Sequence, residues 1–414
     1  MPSVSAARDV LRVAAVKIRL PRLVCVDVLR GLVMVVMALD HTRDFFSGFP
    51  YPPEDLTHTT GPLFFTRFVT HFCAPTFFLL AGMGGSLSIA QGRSVQEVSK
   101  FFWTRGLWLV FLNLTLLGIA WTFVFPFWFG GVMWAIGWSM MFMALVVRLP
   151  APWVGAIGTV IIISQNLLEK IKPAPFSNFA KLWVVLYGHG EFVLNAQYDM
   201  FFVLFSIMPW AGVMALGYAL GFVMRRSDWT KIVFRIGAAL TMCFFILRIF
   251  RLYGNGYAPP GWSSGMVGPW QIQPTVTLTI ISFFDTSKYP ASLQFLLMTL
   301  GPTLMVLAGL GRVNAERGPG KILMLFGRVP LFYYVLHLYL IHFLAVGVAV
   351  ALHQPSTWLM QGAVMIQATP QNYGHGLVFV YGMWVIVVAL LYLPCRWFLQ
   401  FKRNHAGQWW IRYV

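Results

Sequence analysis

Charge is what this sequence has least of. Only 10% of its 414 residues are Asp, Glu, Lys or Arg, against roughly 25% in a soluble globular domain. A chain so poor in charge cannot cover a water-facing surface with polar groups, which excludes a string of soluble domains. Acid is scarcest: 13 Asp and Glu stand against 30 Lys and Arg, a formal net charge of +17. Cysteine is rare too, with 4 in the chain and no Cys-x-x-Cys spacing. Neither a disulfide framework nor a cysteine metal site is therefore expected. His-Glu-x-x-His is absent, as is every other metal-ligand spacing, so no metal is expected. No internal repeat is evident, which weakens the case for an inverted-repeat transporter.

What is present is apolar. Hydrophobic residues make up 58% of the chain and the mean hydropathy is +0.71. Runs of about 20 apolar residues, the length that crosses a bilayer, occur near 24–46, 63–90, 101–122, 126–148, 151–168, 200–224, 232–253, 291–312, 323–350 and 377–400. The run at 272–284 is too short to span and reads as re-entrant. These runs predict an all-α polytopic membrane helix bundle with about ten transmembrane helices. One integral domain would cover 23–400, flanked by basic cytoplasmic segments at 1–22 and 401–414. The first run lacks a small-residue cleavage site, so it reads as a retained helix rather than a signal peptide.

The basic residues orient the bundle. With the N-terminus inside, most of the 30 lysines and arginines fall in inner loops. Arg43, Arg67, Lys170, Lys172, Lys181, Arg248, Arg251 and Lys288 are left on the outer side. That bias follows the positive-inside rule and predicts both termini in the cytoplasm. The net charge then reflects topology and contact with anionic inner-leaflet lipid. No basic soluble surface exists that would suit nucleic acid.

One stretch breaks the apolar pattern. "VMALDHTRDFF", Val36 to Phe46, packs Asp40, His41, Arg43 and Asp44 into the outer end of the first helix. Ionisable groups inside a membrane cost about 2.5–3.5 kcal/mol each at a helix centre, so this cluster must face the bundle interior or a wet cavity. A salt-bridged helix end would explain the acids and Arg43. It does not explain His41, which titrates near neutrality beside carboxylates able to orient it. The second helix places Arg67 and His71 at the same outer depth, four residues apart on one face, with Pro75 a turn further on. The ninth helix adds His337 near mid-membrane and His342 nearer the outside. Those two lie roughly 140° apart around the helix and cannot chelate one metal from one face.

Two motif matches are set aside. "GWSSG", Gly261 to Gly265, fits Gly-x-Ser-x-Gly but follows two prolines in a loop, without the strand–turn–helix a nucleophile elbow needs. "GYALG", Gly217 to Gly221, reads as a helix-packing face.

"RLVCVDVLRGLVMVVMALDHTRDFF" followed by "FFTRFVTHFCAPTFFLLAG" resembles the bacterial DUF1624 membrane proteins. That group is similar to the catalytic domain of heparan-α-glucosaminide N-acetyltransferase, within the wider transmembrane acyltransferase group. "WTRGLWLVFLNLTLLGIAWTF", "PWAGVMALGYALG", "KYPASLQFLLMTLGP" and "FGRVPLFYYVLHLYLIH" resemble later blocks, so the likeness covers about residues 22 to 345. It implies a multi-pass protein of the bacterial inner (plasma) membrane. Its activity would be transfer of an acetyl or other acyl group from acyl-CoA to a sugar or glycan acceptor on the outer side. Counting from Arg30-Gly31, the family's polar position falls on His41. His71 stands where the family has an acid four residues before the proline, and His58 lies near the family's loop histidine, out of register by about three residues.

On this reading His41 is the general base, oriented by Asp40 or Asp44, with His58 the alternative base. Arg67 and His71 hold the acyl carbonyl or an acidic sugar, and Arg43 and His337 are further substrate contacts. Arg93, Arg105 and Arg328, at the inner face, meet the phosphates of acetyl-CoA or another acyl-CoA. An acyl-histidine intermediate and direct transfer both stay open, as does a homodimer. The competing reading is a proton-coupled transporter or lipid flippase using the same His and Asp groups as a relay.

Overall fold

The computed structural model of the protein describes residues 23–168, 170–171, 173–174, 177–194, 199–256, 268–312, 318–361 and 369–414. The basic N-terminal segment 1–22, Lys172, Arg317 and the "GWSSG" stretch lie outside the described residues.

Helix α1 (Val24–Phe46) is followed by α2 (Gly61–Thr70), α3 (Cys73–Ala90) and α4 (Val95–Leu112). A π turn, Asn113–Leu117, joins α4 to α5 (Gly118–Thr122). Then come α6 (Val132–Val146), α7 (Ala151–Leu168), α8 (Asn178–Leu186), α9 (Ile207–Val223), α10 (Trp229–Ile249) and α11 (Val276–Phe284). The last four are α12 (Leu293–Leu310), α13 (Pro319–Arg328), α14 (Pro330–Ala351) and α15 (Leu377–Asn404). Seven helical stretches are long and apolar enough to cross a membrane: Gly61–Ala90, Val95–Thr122, Ala151–Leu168, Trp229–Ile249, Leu293–Leu310, Pro330–Ala351 and Leu377–Asn404. Helices α6 and α9 are shorter and apolar. Helix α1 has the length but carries six ionisable residues, Asp27, Arg30, Asp40, His41, Arg43 and Asp44. Each apolar run expected from the sequence coincides with one of these stretches. The chain is an all-α polytopic bundle.

Two expected spans are interrupted. The second is split between α2 and α3 at His71–Phe72. Pro75, in the first turn of α3, has no N–H to give the carbonyl four residues back, which is that of His71. The ninth is split into α13 and α14 at Val329, ahead of Pro330, because the residue before proline is pushed out of the helical region. The short run expected to be re-entrant is the nine-residue α11.

The sequence reading did not anticipate strands. β1 (Phe129–Gly130), β2 (Gly190–Val193) and β3 (Met200–Val203) form a small sheet in the order β1-β3-β2, with β3 parallel to β1 and antiparallel to β2. Phe129 pairs with Phe202 across it, and both rings face the cavity described below.

Helices in lipid gain little from hydrophobic association, so they pack where small residues let backbones meet. Gly217 and Gly221 of "GYALG" face α3: a Cβ on Gly217 would lie 2.0 Å from the Leu79 carbonyl oxygen. The motif is a packing face, as expected. Arg30-Gly31 works the same way for α1 and α13. Arg30 donates to the Gly327 carbonyl at 3.0 Å, and a Cβ on Gly31 would sit 1.7 Å from the carbonyl oxygen of Leu323. That neighbour is backbone and cannot turn aside. Gly31→Ala is therefore expected to force α13 off α1, at ~1–3 kcal/mol or more. The readout is a lower melting temperature and less monodisperse protein in detergent. Gly347→Ala, whose Cβ would meet nothing within 4 Å, serves as the control. Equal behaviour of the two variants would refute this account of the seam.

The buried apolar residues form two clusters, one centred on α3, α9 and α12 and the other on α1, α14 and α15. The cavity lies where they meet, with walls drawn from both.

Candidate active site

A cavity of about 640 Å³ opens beside the C-terminal turns of α1. Its walls come from α1, the α2–α3 break, the loop after α1, the edges of β1 and β3, and the segment between α11 and α12. The chemistry follows from how α1 is wound. Consecutive residues on a helix lie 100° apart, so Asp40 and His41 cannot serve the same neighbour. Asp40 faces α2 and His41 faces α14.

On the α2 side the carboxylates are taken up by guanidinium groups. Asp40 makes ion pairs with Arg43, at 3.0 Å, and with Arg67. Arg43 also binds Asp44 at 2.6 Å, and Arg67 donates through Nε to Glu54 at 3.0 Å. Glu54 comes from the outer loop "YPPEDL", which folds in over the cavity and leaves it buried. His71 Nε2 lies 3.8 Å from the same carboxylate, and its Nδ1 has no partner among the described residues. In a low-dielectric site such a network holds only while every charge is matched.

On the α14 side stands a pair of histidines. His337 Nδ1 lies 3.0 Å from the carbonyl of Tyr333, and its Nε2 lies 2.7 Å from Nδ1 of His41. A carbonyl only accepts, so His337 carries its proton on Nδ1 and offers the Nε2 lone pair. His41 Nδ1 must then donate. The remaining nitrogen of neutral His41, Nε2, is left with a lone pair. The ring is held edge-on by Trp121, with centroids 4.9 Å apart, and by Tyr334, at 6.2 Å. The expected orientation of His41 by Asp40 or Asp44 is therefore corrected: both acids are bound by arginine, and His337 is the partner.

The other expected site residues fall in three places. His58 does not line the cavity. It sits in the outer loop, hydrogen-bonded to Asp55 at 2.7 Å and stacked on Tyr51, with its side chain 61% exposed. Arg93, Arg105 and Arg328 do not line the cavity. Arg93 and Arg105 flank the Phe101 ring at 5.9 and 5.8 Å, while Arg328 pairs with Asp27 at 3.3 Å. Arg328 is thus committed to a structural ion pair that Arg30 shares. Among the described residues no group of three or more His, Cys, Asp and Glu is placed to hold a metal.

Glu54, His189, Lys288 and Tyr334 line the cavity and were missed as site residues. A signal existed for two of them. Glu54 is an acid in a chain nearly devoid of acid, and Lys288 is one of the few cations on the side the positive-inside rule leaves poor.

Residues 22–250 match the family described as heparan-alpha-glucosaminide N-acetyltransferase, catalytic. The chain belongs to this family. The match runs from the start of α1 to the end of α10 and takes in His41, the ion network and both halves of the second span. It bears out the likeness to that catalytic domain seen in the sequence, and it places the chain among membrane acetyltransferases. No curated protein matches the chain. His337 and Lys288 lie beyond the matched segment, so the cavity is completed by residues outside it.

Proposed function

We propose that the cavity is the acceptor site of an outward-facing acetyltransferase and that His41 is its general base. The single observation that carries this is the Tyr333–His337–His41 chain, which leaves Nε2 of His41 as a lone pair at the cavity wall. Acetyl-CoA, or another acyl-CoA, supplies the activated acyl carbon. His41 Nε2 takes the proton from an acceptor amine or hydroxyl as the acceptor oxygen or nitrogen bonds to that carbon. The thioester C–S bond breaks, and the proton then leaves on the CoA thiol. The imidazolium formed at His41 keeps its Nδ1–H on His337, which acts as a fixed acceptor and spares any reorientation. The same nitrogen would be the nucleophile if an acyl-histidine forms.

A sugar fits the size and lining of the cavity, and its place at the C-terminal end of α1 puts the acceptor outside if both termini are cytoplasmic. Of the inner-face arginines, Arg93 is better placed for a CoA phosphate than Arg328, which is held by Asp27.

The test is release of free CoA by purified protein in detergent. Acetyl-CoA with glucosamine, followed by a thiol reagent, should give turnover that needs both substrates and the protein. Gradient-dependent flux in vesicles with no CoA release, across amine and hydroxyl sugar acceptors, would favour a proton-coupled transporter and sink the acetyltransferase reading.

A further inference from the structure

The charges on the cavity wall are almost all spoken for. Asp40, Asp44 and Glu54 occupy both guanidinium groups, of Arg43 and Arg67. Arg67 therefore cannot also clamp an acidic substrate without abandoning a buried carboxylate. Lys288 is different. It lines the cavity and is 8% exposed. Among the described residues its ammonium has no hydrogen bond and no ion pair within 4.0 Å. What it has is aromatic: the Tyr289 ring at 5.1 Å and the Phe205 ring at 5.9 Å.

The position of Lys288 is built rather than incidental. Arg248, from α10 and 1% exposed, donates to the carbonyls of Ser282 at 2.8 Å, Phe283 at 2.7 Å and Asp285 at 2.6 Å. It also binds the side-chain oxygens of Asn255 and Gln294, at 2.8 and 3.1 Å. The Ser287 hydroxyl donates to the Pro290 carbonyl at 3.0 Å, and the Ser292 N–H to the Ser287 carbonyl at 3.0 Å. The segment is pinned on both sides of Lys288, so its ammonium is preorganised at the wall. Asp40 lies within Coulombic reach of this ammonium but makes its direct ion pairs with Arg43 and Arg67, so an anionic group of a ligand can pair with Lys288 directly.

We propose that Lys288 is an anion-binding subsite and that the acceptor carries a fixed carboxylate or phosphate group that pairs with it. This rests on reading the cavity as the acceptor site, but its test needs no turnover. Binding of glucose, glucuronate and glucose 6-phosphate to purified protein in detergent would be measured by calorimetry. A charge-assisted pair should make the two anionic sugars bind ~10- to 100-fold tighter than glucose. Lys288→Met should bring that ratio close to one, whereas Lys288→Arg should keep most of it. If Lys288→Met does not fold, Lys288→Gln and the wild-type ratio carry the test. No anionic preference in the wild type, or a preference that survives loss of the ammonium, would overturn the proposal. Intact anion binding to Lys288→Met with slowed CoA release would instead put Lys288 opposite the transient oxyanion, and the fixed-charge assignment would fall. Absence of acetyl transfer in the wild type leaves the binding ratio readable, so the two readings fail separately.

Discussion

Replacing His41 with alanine is expected to slow acyl transfer at least ~10²-fold, the usual contribution of a positioned base, while the protein still inserts and folds. His41 holds no ion pair. Among the described residues its one side-chain hydrogen bond is to His337, so its loss strands a single buried acceptor and leaves the arginine–carboxylate network untouched. His337→Phe should act through His41. It removes the acceptor that fixes the tautomer, and a loss of ~10- to 100-fold is expected, of the order seen when an orienting partner is removed. The pH profile separates this from a packing effect. Only neutral His41 accepts a proton, so the wild-type rate falls as pH drops through the ionisation of the histidine pair. Burial pushes His189, which lines the cavity with His41 and His71, down to about 4. His189 is then neutral above about pH 5 and cannot produce a limb near neutrality. Parallel assay of His58→Ala is the decisive comparison. Wild-type turnover in His41→Ala together with abolished turnover in His58→Ala would move the base to the loop histidine, which hydrogen-bonds to Asp55.

The second large effect is on folding. Arg67→Met removes the counter-charge that Asp40 and Glu54 share, and breaking a buried pair costs about 3–5 kcal/mol because the remaining charge is uncompensated. The variant should yield little folded protein, with a clearly lower melting temperature in detergent. Asp40 keeps its contact with Arg43, so Glu54 bears most of the penalty. Combining Arg67→Met with Glu54→Gln should therefore recover part of the loss. A single variant that melts with the wild type would mean that water or lipid headgroups, not Arg67, neutralise those carboxylates. Arg43→Ala belongs to the same class, since Arg43 bridges Asp40 and Asp44.

Both results hinge on contacts that differ in how far they can be read from the chain. The spans are legible because a bilayer imposes a one-dimensional rule: a segment in lipid must be apolar for about 20 residues and satisfy its own backbone. Pro75 and Pro330 are legible as interruptions for the same local reason. The cluster at Asp40 to Asp44 stands out because four ionisable groups cannot face lipid, so its inward orientation follows without a structure. The sharing of Asp40 by Arg43 is equally local, three residues apart on one helix.

What the chain by itself does not determine is which helix each face meets. Helical periodicity puts Asp40 and His41 on different faces but carries no information about the neighbour on either side. Arg67 reaches Asp40 across 27 residues, and His337 reaches His41 across 296. Reading outward from the cluster therefore gives His41 the nearest acid as its partner, whereas packing hands the acids to arginines and turns the imidazole to α14. The same holds for Lys288, an ordinary outer-loop lysine until Arg248 draws the loop carbonyls inward and seats the ammonium at the cavity wall. Composition and period determined the bundle and the residues that must avoid lipid. Only the packing of α1 between α2 and α14 decided which carboxylates are neutralised and which histidine is left with a lone pair.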